Sequence, residues 1–186
     1  IDHSLETLLN AGNYRDRIRF ITVPRTKGVK ERTDFEGAKW EVSSPETTMD
    51  CSAAGYFFAR QLTETLHLPV GLVINSWGGS RIEAWMTEET LASVKGAKNP
   101  KLDTNSRLQC LYNIMLLPVK NYTARGFLWY QGESNLFNYQ IYAPMMTAMV
   151  QLWRNVWEAP DMPFYYVQIA PHKYGNSRNI NSALLQ

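Results

Sequence analysis

Two stretches of this chain deliver glycine, amide and hydroxyl groups directly after an apolar run. From Gly126 to Tyr130 the sequence GFLWY is small and aromatic without polar alternation. That is the pattern of a short buried strand. Gln131, Gly132, Glu133, Ser134 and Asn135 then crowd its carboxyl end. Val70 to Asn75 (VGLVIN) ends the same way, in Ser76, Trp77, Gly78, Gly79 and Ser80. In an open α/β sheet, ligands bind at the carboxyl ends of the strands. Glycine lets backbone N–H groups approach a ligand with no side chain in the way. An amide on a rigid strand end adds a donor whose N and O ends play different roles. The chemistry this suits is polar recognition of a ligand oxygen. Metal chemistry needs clustered His, Cys or acidic ligands, which the sequence does not group. WGGS lacks the spacing of a phosphate loop. No cofactor is implied.

The elements that would carry these groups alternate. Strands are expected at Ile18 to Val23, Val70 to Asn75, Gly126 to Tyr130 and Phe164 to Ile169. Between them, Tyr56, Ala59, Leu62 and Leu66 set a helical period over Ser52 to Leu66. Thr87 followed by Glu88 and Glu89 opens a helix to Val94 with a capping hydroxyl and acids in its first turn. Ser106 to Leu117 reads as a helix stopped by Pro118, Tyr139 to Trp157 as the longest helix, and Asn181 to Gln186 as the start of another. This alternation implies a parallel sheet covered on both faces. Lys27 to Ser44 lacks a steady period and reads as an insertion over the sheet edge or a surface loop.

These motifs resemble those of a known family. SWGGS with EAW (Ser76 to Ser80, Glu83 to Trp85) and WYQGESN (Trp129 to Asn135) look like the second and third motif blocks of the sialate O-acetylesterase family, within the SGNH-type esterases. RFITVP at Arg19, SAAGYFFAR at Ser52, LYNIM at Leu111 and PFYYVQIAP at Pro163 fall in the family's order. The resemblance implies a flavodoxin-like three-layer α/β/α fold and a serine esterase acting on acetylated sugars. It places the oxyanion donors at Gly78, Gly79 and Gln131, with Asn135 as the rival of Gln131. Each such donor is worth roughly 3–4 kcal/mol to the transition state. Ser80, Glu133, Asn135 and His172 are candidate substrate contacts, and in such esterases the like-placed glutamate organises the loop.

The family's Gly-Gln-Ser-Asn-Met block and its closing Asp-x-x-His pair do not occur in these residues. The expectation is a single esterase domain over 1–186, incomplete at both ends and inert by itself, with the remaining parts on the same polypeptide. In the usual strand order, a further strand would lie between those at Ile18 and Val70.

Each candidate has a plain structural reading. Gly78 and Gly79 could simply make a turn, and a histidine such as His172 is commonly a surface residue. Ser134 lacks the nucleophile-elbow spacing. Ser76 and Ser80 have no histidine near them in sequence. Glu133 has no second carboxylate placed to share a glycosidase-type site. Glu83 and Trp85 are expected to fix a helix start and pack beneath the loop. Trp40, Trp77, Trp129 and Tyr130 could stack on a sugar, although tryptophans at such positions are usually core.

Composition bounds the rest. A chain of 186 residues with 45% hydrophobic residues and six tryptophans builds a sizeable core. A net charge of +2 argues against nucleic acid or membrane partners. Cys51 and Cys110 allow one disulfide, but their apolar settings favour buried thiols. His67, just before Leu68-Pro69, reads as a helix terminus. No segment reaches transmembrane length and no leader is visible, so a secreted, periplasmic or lysosomal location is implied by the resemblance alone. The sugar could be sialic acid or acetylated xylan; a non-catalytic sugar-binding remnant is the alternative of another class.

Overall fold

A computed structural model describes residues 4–26, 28–97 and 110–170. They divide into two compact units, one from Ile1–Arg25 and Phe35–Ser76, the other from Thr26–Asp34 and Trp77–Gln186.

The first unit opens with α1 (Leu5–Leu9) and a 3₁₀ turn at Ala11–Tyr14, followed by β1 (Ile18–Thr22). β2 (Glu41–Val42) pairs antiparallel with β1. α2 (Pro45–Thr48) and α3 (Ala53–Leu66) precede β3 (Val70–Ile74). Ser44 caps α2 through a reciprocal capping box with Thr47, and Ser52 caps α3 by accepting from the Gly55 N–H. His67 ends α3 with φ +56, the left-handed conformation common after a last helical turn. One face of α3 buries Tyr56 and Ala59 against Ile18, Phe20 and Cys51, with Val70, Leu72 and Ile74 packed alongside.

The strand expected to be missing from between those at Ile18 and Val70 leaves no gap of unpaired groups among the described residues. β1 and β3 pair directly and in parallel, from Ile18 opposite Val70 to Thr22 opposite Ile74. Flanking bonds extend the ladder, Val70 N–H to the Arg17 carbonyl at 2.7 Å and Val23 N–H to the Ile74 carbonyl at 2.9 Å. Each strand thereby satisfies the other's backbone groups, and no buried unpaired edge remains between them. The insertion reading of Lys27 to Ser44 holds in part, since its end supplies the edge strand β2.

In the second unit, a 3₁₀ turn at Ile82–Trp85 leads to α4 (Glu88–Ala92), whose N-cap Thr87 accepts from the Thr90 N–H. Where a regular helix was expected up to Leu117, Tyr112–Leu116 forms a π-helical turn that passes into a 3₁₀ turn at Leu117–Val119. Its Asn113 holds the Thr26–Asp34 segment, donating from Nδ2 to the Val29 carbonyl at 2.7 Å while its own carbonyl accepts from the Arg32 N–H. β4 (Phe127–Trp129) pairs in parallel with β5 (Phe164–Tyr166). Between them lie a 3₁₀ stretch, Glu133–Ile141, and α5 (Tyr142–Val156). Met145, Met149 and Trp153, spaced at four, form the buried stripe of α5.

Hydrogen bonding among the described residues therefore makes two small sheets, β2-β1-β3 and β4-β5, instead of the single sheet expected. Within the small β4-β5 sheet, Leu128 is 41% exposed and Tyr165 and Tyr166 are 54% and 64% exposed. Cys51 and Cys110 are both buried, as their apolar settings led us to expect. Burial pushes the Cys51 thiol up to about 12. Among the described residues, no helix is long and apolar enough to cross a membrane.

Candidate active site

The polar clusters of the two motifs meet within the second unit, where they divide into an open turn and a closed network. The turn is Trp77-Gly78-Gly79-Ser80, closed by the Ser80 N–H to the Trp77 carbonyl at 3.3 Å. Gly79 takes φ +76 at its third position, where a type II turn demands positive φ and hence glycine. Both glycines are exposed, and a Cβ built on either meets nothing within 4 Å. Their N–H groups have no acceptor among the described residues. This turn can present backbone donors to a ligand.

The network begins at the next residue. Ser80 is buried; its Oγ accepts from Trp85 Nε1 at 3.1 Å and its carbonyl accepts from Gln131 Nε2 at 3.1 Å. The second Gln131 Nε2 hydrogen goes to Asn135 Oδ1 at 2.8 Å. Gln131 Oε1 accepts from the Tyr142 hydroxyl at 2.7 Å, and Tyr142 accepts in turn from Trp129 Nε1 at 3.1 Å. Asn135 is 0% exposed and fully engaged. Its Oδ1 also accepts from the Ile82 N–H at 3.0 Å, while Nδ2 donates to Glu83 Oε2 at 2.9 Å and Asn138 Oδ1 at 3.1 Å. Glu83, 2% exposed, receives a second amide from Asn138 Nδ2 at 2.8 Å. Burial pushes the Tyr142 hydroxyl up to about 12, partly offset by the Trp129 hydrogen bond, so it stays a protonated donor at neutral pH.

Beneath this network, Trp85, Trp129 and Trp153 meet edge to face with centroids 5.5–6.3 Å apart. Gly132 is buried against Ile169, which would lie 3.2 Å from a Cβ at that position. A cleft of about 680 Å³ opens beside Gln131, Gly132 and Tyr142, bounded by Met146, Val150 and Ile169.

The structure thus brings together Ser80, Gln131 and Asn135, and leaves Gly78 and Gly79 open next to them in the chain. Glu133 is exposed, and the bonds that organise this loop run through Asn135 and Glu83. Gln131 has both amide hydrogens committed, so donating to a ligand requires releasing Ser80 or Asn135. Trp129 and Trp85 are core, Trp77 is half-buried, and Tyr130 and Trp40 are exposed, Trp40 lying over Gly71 in the first unit. His172 lies outside the described residues. Sequence reasoning missed Tyr142 and Asn138. A tyrosine seven residues after the asparagine-ended motif carries no spacing signal until the 3₁₀ stretch turns it back.

Comparison with known proteins gives this arrangement a family. The model of the carbohydrate esterase, sialic acid-specific acetylesterase family matches residues 27–186, and the chain belongs to that family. It is 31% identical over 169 residues to sialate O-acetylesterases of Pongo abelii and Homo sapiens, covering 83% of this chain and 32% of each relative. A crystal structure of a carbohydrate acetylesterase from Xanthomonas citri superimposes with TM-score 0.85 at 29% identity, over 96% of this chain and 40% of that one. The chain spans about a third of the length of the curated relatives it matches.

Proposed function

We propose that this chain forms part of a serine-type carbohydrate esterase that removes O-acetyl groups from sialic acid or a related sugar. The observation that carries this reading is the open Gly78–Gly79 turn, held beside a saturated motif network in a member of the carbohydrate esterase family. A serine hydroxyl from elsewhere in the protein attacks the acetyl carbon, and a His/Asp pair takes its proton. The acetyl oxygen gains charge as the tetrahedral state forms, and the N–H groups of Gly78 and Gly79 meet it there. The sugar leaves with the proton, and water then frees acetate from the acyl-serine.

Gln131 is a third donor in this scheme if it gives up one of its two present acceptors. Glu133 and His172 are the candidate sugar contacts, and Ser80 and Asn135 support the site from buried positions. The complete protein takes the three-layer SGNH fold and works in a secreted, periplasmic or lysosomal compartment; the remainder of the polypeptide supplies the nucleophile and base. Acetate release by the full-length protein from O-acetylated sialic acid, compared with acetylated xylan, tests the reading. Faster release from the sialic acid supports it, and release from xylan alone moves the substrate. Saturable glycan binding with no release from either would make the protein a sugar-binding module.

A further inference from the structure

The hydrogen bonds around Asn135 run in one direction, and the direction is set by groups that cannot reverse. Trp129 Nε1 can only donate, and gives its hydrogen to Tyr142 at 3.1 Å. The Tyr142 hydroxyl must then send its own hydrogen onward, to Gln131 Oε1 at 2.7 Å or to the Gln131 carbonyl at 2.9 Å. This turns the Gln131 NH2 toward the Ser80 carbonyl, which can only accept, and toward Asn135. Asn135 cannot turn over, because the Ile82 N–H requires its Oδ1. Its NH2 therefore points to Glu83 and Asn138, and Asn138 points its own NH2 to the other Glu83 oxygen. The chain starts on an indole and ends on a carboxylate. Every amide between has one permitted orientation.

We propose that Glu83, Asn138 and Tyr142 are positioning residues of the esterase site, which hold Ser80, and through it the Gly78–Gly79 turn, by ending and steering this one-way chain. The proposal rests on the reading of that turn as the oxyanion site. Ser80 is the junction: its carbonyl belongs to the network and its N–H closes the turn. Glu83 is thus required as a double acceptor.

Its isostere separates this role from packing. In E83Q, an NH2 replaces one accepting oxygen and meets an amide hydrogen already aimed at it. Turning Asn138 over satisfies Gln at 83 but sets the Asn138 NH2 against the Asn135 NH2. No orientation removes the conflict. Replacing Asn138 with Asp in the same chain does remove it: Asp accepts from Asn135 and from Gln, and Gln Oε1 accepts from Asn135. The double variant keeps every bond and reverses one link.

The test measures acetate release and thermal unfolding of full-length wild type, E83Q, N138D and E83Q/N138D, together with the Gln131 and Asn135 side-chain NH2 signals by NMR. E83Q should lose about tenfold or more in kcat with KM within about threefold, since misplacing a donor acts mainly on the transition state. Its NH2 signals should shift and exchange faster with solvent. E83Q/N138D should restore both readouts. Should E83Q fail to fold, recovery of folding in the double variant supports the proposal. Wild-type kcat in E83Q, or a double variant no better than the single, overturns it. If the wild type releases no acetate, the esterase reading falls, and the NMR signals alone decide whether the chain has one polarity.

Discussion

The Gly78–Gly79 turn and the Asn135 cluster adjoin in sequence at Ser80 and differ in almost every physical respect. The turn is exposed, glycine-built, and keeps N–H groups without an acceptor among the described residues. Asn135 is wholly buried and spends both side-chain hydrogens and both lone pairs of Oδ1. A polar group is available for chemistry only if folding has not already consumed it. By that measure the backbone of the turn is the ready donor, and the amides of Gln131 and Asn135 are its support. Buried polar networks are costly when one member is lost, because the partners cannot recover water.

That contrast can be broken from the network side. Asn135→Ala strands the Ile82 N–H, a Gln131 hydrogen and the buried Glu83 carboxylate at once. It should destabilise the protein by about 3–5 kcal/mol. Thermal unfolding should register this as a fall in Tm of roughly 10 °C or more for a chain of this size. Tyr142 offers a pH handle. Its folded value of about 12 lies above the ordinary 10, so its contribution is complete below pH 10 and is lost as pH rises through about 12. The span is worth about 3 kcal/mol. Stability measured from pH 9 to 12 should fall more steeply in wild type than in Tyr142→Phe.

The turn should respond weakly, and unevenly. Gly79→Ala places a side chain at φ +76 and should cost about 1–2 kcal/mol. Gly78→Ala meets open space and should change stability by less than about 0.5 kcal/mol. Equal losses at the two glycines, by chemical denaturation, would contradict the turn geometry.

Much of the local structure was legible because it rests on near neighbours. The four strands fall where apolar runs place them, although each is shorter than read, and Thr87 caps the helix it was expected to cap. Tertiary choices were not legible. Nothing local tells β1 to pair with β3 directly, because strand order depends on which edges meet. The 3₁₀ stretches at Ile82–Trp85 and Glu133–Ile141 are too short and polar to show a period. Gln131 was placed correctly at a strand end, yet where its amide points depends on Tyr142, eleven residues on. The family motifs were legible as motifs; their division into support and donor was not.

Gly78→Pro tests the central claim most directly. Proline suits the second position of such a turn, and the N–H it removes has no acceptor among the described residues. In the full-length protein, kcat for acetate release should drop by about two to three decades with KM nearly unchanged. Tm should stay within a few degrees of wild type. Gln131→Ala, by contrast, should lower Tm as well as kcat, because it opens the network. A Gly78→Pro protein that folds normally and retains more than about a third of wild-type kcat would contradict the account, and the oxyanion donor would then have to be sought at Gly79 or Gln131.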